Sequence, residues 1–143
     1  MNEIEFAEQI DCKFPYHDTE QAAALIAQAR SISSAAMFMA LEEICRPPIG
    51  TDASRDQIFG LIDKWSLLCD HPLADQTVSA AKAVASGATW PVEKSLALLE
   101  RVAGFEGLYG ALNIAYFSCD DVDGVIEPEF ERIRKDWETN AGA

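Results

Sequence analysis

The stretch Ser54-Arg55-Asp56-Gln57-Ile58-Phe59-Gly60-Leu61-Ile62-Asp63-Lys64-Trp65-Ser66-Leu67-Leu68 decides the fold class. Ser54 with Gln57 three residues on is a capping-box pattern, in which a serine hydroxyl and a glutamine side chain satisfy each other's backbone amides at a helix start. Ile58, Leu61, Ile62, Trp65 and Leu68 then recur at three- and four-residue spacing. That is one apolar stripe on a helix of 3.6 residues per turn.

The same pattern continues in both directions. Upstream, Asn2 caps a short helix from Glu3 to about Asp11, with Ile4, Phe6 and Ile10 as its apolar positions. Asp18 or Thr19 caps a second helix reaching about Arg30, and Ser33 or Ser34 a third, Ala35 to Cys45, which ends before Pro47-Pro48. Downstream, His71-Pro72 opens a fifth helix that stops at Ser86-Gly87. Thr89-Trp90-Pro91 starts a sixth, with Leu96, Leu99 and Val102 inward. A seventh runs from about Glu106 to Ser118, and Glu127-Pro128 opens a last helix to about Trp137, with Phe130, Ile133 and Trp137 on one face. No run alternates apolar and polar residues as a half-buried strand would. The expectation is an all-α domain over residues 1–138, of seven to eight short helices, with residues 139–143 as a frayed tail.

Thr19, Ser54 and Thr89 lie 35 residues apart, which puts Ile26, Leu61 and Leu96 at one equivalent position and Ile32, Leu67 and Val102 at another. Two arrangements fit that spacing. Antiparallel helix pairs could close into a compact bundle, or stack as a short α-solenoid.

The chain has 143 residues, 24 Asp and Glu against 11 Lys and Arg, and a formal net charge of −13. Hydrophobic residues make up 49%, enough for a core and unlike an acidic disordered tail. So strong an acid excess argues against nucleic acid as a partner, because a phosphate backbone needs clustered cations. The amino terminus lacks the basic and apolar regions of a signal peptide, and no apolar run is long enough to span a membrane. Cys12, Cys45, Cys69 and Cys119 form no CxxC pair, so the expectation is reduced thiols in a cytoplasmic protein.

No catalytic motif, P-loop or zinc framework occurs, and no cofactor or metal is expected. Cys69-Asp70-His71 is the nearest approach to a nucleophile and base, and equally reads as the end of an apolar stripe followed by a helix-terminus histidine. Gly104 to Gly110 resembles a phosphate loop only in its glycines. Gly107 and Gly110 are expected instead to let neighbouring helices approach closely. Setting Gly124 at the sixth position of an EF-hand loop puts Asp121 and Asp123 correctly but leaves Cys119 and Phe130 at the two ends, where calcium needs oxygen. An Asp- and Gly-rich turn explains that segment as well.

The acids are unevenly placed. Residues 102–131 contain Glu106, Asp120, Asp121, Asp123, Glu127, Glu129 and Glu131 and no base, and Arg132, Arg134 and Lys135 follow directly. Between these acids, Leu108 to Phe117 has Asn113 as its one amide or charged side chain and should be the buried central helix. Tyr109 and Tyr116, seven apart, share a face. Two readings of the acids stand: a solvated surface, or a docking face with aromatic anchors for a basic protein. The candidate contact residues are Tyr109, Tyr116, Asp120, Asp121, Asp123, Glu127 and Glu129.

In overall type (small, acidic, all-helical and without a catalytic constellation) the chain resembles a bacterial toxin-immunity protein. That resemblance implies a non-catalytic inhibitor whose partner is a basic, nuclease-type toxin. The alternatives are an α-solenoid-like adaptor that holds a peptide or protein, and a small enzyme using Cys69 and His71.

Overall fold

A computed structural model of the chain describes residues 1–10, 19–46 and 54–141. They form α1 (Glu3–Ile10), α2 (Thr19–Ile32), α3 (Ser34–Cys45), α4 (Arg55–Leu68), α5 (Ala74–Ala85), α6 (Val92–Ala103), α7 (Tyr109–Phe117) and α8 (Ile126–Ala141). There is no strand among the described residues, only an isolated bridge between Thr89 and Cys119. No described helix is long and apolar enough to cross a membrane.

The helix starts follow the expected chemistry. The Asn2 carboxamide accepts from the Glu5 N–H at 2.9 Å, and the Ser33 hydroxyl accepts from the Ala36 N–H at 3.1 Å. Ser54 and Gln57 form the reciprocal capping box, at 2.8 and 3.2 Å. Thr19 is the first residue of α2, while Asp18, Cys12, His17 and Pro47-Pro48 lie outside the described residues. Differences appear where no cap or breaker sets the end. α7 begins at Tyr109 rather than Glu106, because Gly104 to Leu108 turns first and Gly107 adopts a φ of +95°. α8 continues to Ala141, since no glycine or proline follows the Pro128 of its first turn within that span.

α3 and α7 form the centre. α3 packs most extensively on α7 and also touches α1, α2, α4 and α5, while α7 is flanked by α5, α6 and α8. Helix pairs in a solenoid would meet only their immediate neighbours. Here the first pair (α2 and α3) meets the third (α6 and α7) directly through α3 and α7, which closes the chain into a compact bundle. The 35-residue register fails for the same reason: Ile26 and Leu61 are buried, but Leu67 is 84% exposed where Val102 is buried. Ile4, expected on the apolar face of α1, is 71% exposed, and Phe6 and Ile10 alone bury that helix.

Gly110 is what permits the close α3–α7 contact. A Cβ built there would lie 2.3 Å from the Phe38 carbonyl oxygen. Gly107, expected to act likewise, has open space around it and serves as a turn residue. Ala111, Leu112, Ile114 and Ala115 of α7 are fully buried. Trp65 of α4 closes the far side of α3, its indole N–H donating to the Met37 carbonyl at 2.6 Å and its ring edge-on to Phe38.

α8 docks through Phe130, Ile133 and Trp137, the stripe anticipated from spacing, and through the buried Ile126. Tyr109 packs against Trp137 and Tyr116 against Phe130, with ring centroids 5.2 and 4.4 Å apart. Both pairs have a seven-residue interval, so α7 and α8 run antiparallel with matched aromatic rungs.

Candidate acidic docking site

The acidic loop is organised by Asp121. Its Oδ1 accepts from the N–H of Val125 (2.7 Å) and Ile126 (3.0 Å), and its Oδ2 from that of Glu127 (3.1 Å). These donors lie at the start of α8, where amides lack intrahelical partners. The Ile126 N–H above all, with those of Glu127 and Val125, holds the Asp121 carboxyl below its usual range. The turn is completed by Gly124, with a φ of +66° and an N–H donated to the Asp121 carbonyl. This is the geometry of an Asp- and Gly-rich turn. Among the described residues no three His, Cys, Asp or Glu side chains converge as metal ligands.

Asp121→Ala is therefore expected to cost about 1–2 kcal/mol of stability at neutral pH, the worth of a helix N-cap. The pH dependence has a definite sign. The folded-state pKa is depressed, so the contribution is complete above the unfolded value near 3.8 and is lost as pH falls through the lower folded value. Urea midpoints of the wild type and Asp121→Ala, measured at neutral pH and in acid, should converge in acid.

The other candidate contact residues divide. Tyr116 stands beside the loop: partial burial first, and then the charges of Glu127, Asp121 and Glu131, push its phenol up. Tyr109 lies at the opposite end of α7, so the two tyrosines do not form one rim. Both rings are engaged with α8, which leaves less aromatic surface for a partner than their spacing suggested. Glu129 pairs with Arg132 at 2.9 Å, and Glu131 pairs with Arg134. Asp120, Asp123 and Glu127 are exposed and make no ion pair among the described residues. The acid-rich segment thus contains one structural cap, two carboxylates held by arginines one turn on, and a remainder that faces solvent.

The structure adds a groove that the sequence reading did not single out. It lies between α6 and α8, has a volume of about 580 Å³, and is floored by Leu96, Leu99, Val125 and Ile133. Glu93 and Glu100 of α6 and Glu129 of α8 rim it. Arg132 and Ile133 also form one wall of an adjoining hollow of about 280 Å³, which Glu106 and Asp136 line. Together the two hollows carry five carboxylates and one guanidinium. Of the residues proposed from sequence, Glu129 alone lines this groove. The missed signal was the face of α6: Glu93, Leu96, Ala97 and Glu100 fall at i, i+3, i+4 and i+7, so they share one side of the helix. Leu96, expected inward, is half-buried on the groove floor because α8 covers α6 only partly.

A second polar cluster joins α3 to α7. Asn113 donates to both carboxylate oxygens of Glu42, at 3.1 and 3.2 Å. Arg46 bonds Glu42 at 3.1 Å and stacks 3.6 Å above the Phe117 ring. Burial pushes the Glu42 carboxyl up, opposed first by the Asn113 amide and then by Arg46. A lone amide in an otherwise apolar helix signals a buried partner, but its spacing does not say which residue that is.

Burial pushes the Cys69 thiol up, the opposite of the depressed pKa that marks an activated cysteine, and pushes the His71 imidazole down. The His71 Nδ1 accepts the Leu73 N–H at 3.1 Å, and its ring sits edge-on to Phe38 and Phe105. It helps start α5 and fills a gap between aromatic rings. Cys45 and Cys119 are buried free thiols. Comparison of the chain with family models, with curated proteins and with solved structures finds no match.

Proposed function

We propose that this chain is a non-catalytic acidic binding domain that neutralises a basic protein, as an immunity protein covers the cationic cleft of a nuclease-type toxin. The observation that carries this reading is the unbalanced carboxylate face of the C-terminal half. Asp120, Asp123 and Glu127 are exposed in the loop and at the start of α8, and Glu93, Glu100 and Glu106 line the two hollows beside it. Glu93, Glu100 and Glu127 are carried by helices, so little ordering entropy opposes docking at these three. A net charge of −13 steers a cationic partner from a distance. The adaptor alternative relied on solenoid-like stacking with a peptide held between helix pairs, whereas the pairs close on one another through α3 and α7. The enzyme alternative relied on Cys69 and His71, where burial pushes the thiol up and the His71 Nδ1 is taken by the Leu73 N–H.

The test uses purified basic nuclease toxin domains assayed for loss of nuclease activity as the chain is added. The expected result is stoichiometric inhibition of a susceptible nuclease. Its association rate should fall by about tenfold or more between low and high salt, as screening removes long-range attraction. If no basic nuclease is inhibited, or inhibition is indifferent to salt, the reading is wrong.

A further inference from the structure

We propose that the α6/α8 groove is the docking surface and that its occupant is a basic amphipathic helix of the partner, with Arg132 setting the register. This rests on the acidic-binding reading and specifies its site. Three features of the groove select that occupant.

The first is charge. Glu93, Glu100, Glu106, Glu129 and Asp136 line the two connected hollows against Arg132 alone. Glu129 and Asp136 already contact Arg132, at 2.9 and 3.5 Å. The carboxylates left over, Glu93, Glu100 and Glu106, all lie on the α6 side. Lysine or arginine side chains along one flank of an incoming helix would meet them.

The second is apolar content. Leu96 is half-buried and Val125 is 44% exposed on the groove surface, and Val122, 81% exposed, stands on the same loop. A free Lys/Arg tail would leave these groups in water. A helix with an apolar stripe at i, i+3, i+4 and i+7 would cover them, with its cations beside the stripe.

The third is length. The α6 side of the groove extends from Glu93 to Gly104, or about 16 Å at the helical rise, which matches about three turns of a docked helix. Arg132 stands midway, in the wall that the two hollows share. Glu129 and Asp136 answer only part of its guanidinium, whose side chain stays 55% exposed; an apolar residue opposite would strip water from the remaining N–H groups, whereas a carboxylate there would pair with them. The preferred occupant is therefore cationic along its flank, apolar on its face and acidic at its centre.

The probe is a synthetic 18-residue Leu/Lys amphipathic helix with one central Glu. It is compared with a scrambled peptide of the same composition and with a Lys-only peptide of equal charge, by calorimetric titration and amide chemical-shift mapping of the full chain. The ordered peptide should bind at least about tenfold more tightly than either control, a difference worth about 1.4 kcal/mol. Its shifts should map to α6 and α8. Ala97→Trp, which fills the groove from an exposed position, and the charge reversal Glu93→Lys/Glu100→Lys should each weaken binding by about tenfold or more. Asp120→Lys/Asp123→Lys should weaken it less.

Changing the peptide's central Glu to Lys should weaken binding to the wild type and strengthen binding to Arg132→Glu. That crossed dependence assigns the register. Absence of the crossover overturns the register. If the scrambled peptide binds equally well, or shifts fall only on residues 120–127, the groove assignment is overturned while the acidic-binding reading stands. If no basic peptide binds at low salt, both fall.

Discussion

Gly110→Ala should lower the thermal midpoint of the protein by about 4–8 °C or more, although alanine is the better helix former. The added methyl would sit 2.3 Å from the Phe38 carbonyl oxygen, 2.4 Å from its carbon and 2.6 Å from the Met39 nitrogen. These are backbone atoms in the middle of α3, so no side-chain rotation relieves the clash. α3 and α7 must separate, and that loosens the most extensive helix contact in the molecule. Overpacking of this kind costs about 3 kcal/mol or more, against a propensity gain of about 1 kcal/mol. In a chain of this size each kcal/mol is worth about 2–4 °C.

Gly60→Ala is the internal control. Gly60 is exposed in α4 and has nothing within 4 Å of the added carbon. The propensity gain then stands alone, and the midpoint should rise by about 2–3 °C. Opposite signs for the same substitution, measured by calorimetry, are the prediction. If the two variants behave alike, α3 and α7 do not approach as described.

Trp65→Ala is expected to cost about 3–5 kcal/mol, the range for removing a buried aromatic side chain. Trp65 is fully buried, packs edge-on to Phe38 with centroids 5.3 Å apart, and donates its indole N–H to the Met37 carbonyl at 2.6 Å. Removal leaves a cavity and takes away the second donor to the Met37 carbonyl, which keeps its helical bond from the Leu41 N–H. Domains of this class are stable by only about 5–15 kcal/mol in total, so the variant should be partly unfolded under conditions that leave the wild type folded. Trp65→Phe separates the two contributions. It keeps an aromatic ring but not the donor, and should cost about 0.5–1.5 kcal/mol for the lost hydrogen bond, plus the small cavity left by the missing ring atoms. Urea unfolding of the three proteins measures both differences. A loss below about 1 kcal/mol for Trp65→Ala would mean that α4 does not seal α3.

These two sites also bear on function, because the groove between α6 and α8 is shaped by what lies beneath it. α6 and α8 both rest on α7, and α7 rests on α3 across Gly110. A change at Gly110 should therefore alter the groove without touching any carboxylate. A surface reversal such as Glu93→Lys/Glu100→Lys should leave stability within about 0.5 kcal/mol. Stability and binding can thus be separated experimentally.

Part of the candidate site was legible before folding. The concentration of acids after residue 102, the Asp–Gly turn and the pairing of Arg132 and Arg134 with acids one turn back all follow from local spacing. Asp121 shows where such reading stops. As a residue type it was one more negative charge for a partner; in the fold both of its oxygens are occupied by amides at the start of α8. The tyrosines show the same limit. Their seven-residue interval was visible, as was that of Phe130 and Trp137, but nothing in either interval says that the two would interlock.

What the amino-acid order determined alone is the helical class and most of the helix starts. Caps, breakers and the 3.6-residue period act within a few residues, and any compact arrangement of the chain must respect them. The tertiary structure alone decided that the helix pairs close into a bundle, because that turns on whether two distant backbones can touch. One missing methyl at Gly110 is a steric fact about Phe38, more than seventy residues away. It likewise decided which carboxylates are tied down and which line the groove, since a charge acquires its neighbours only when the helices pack.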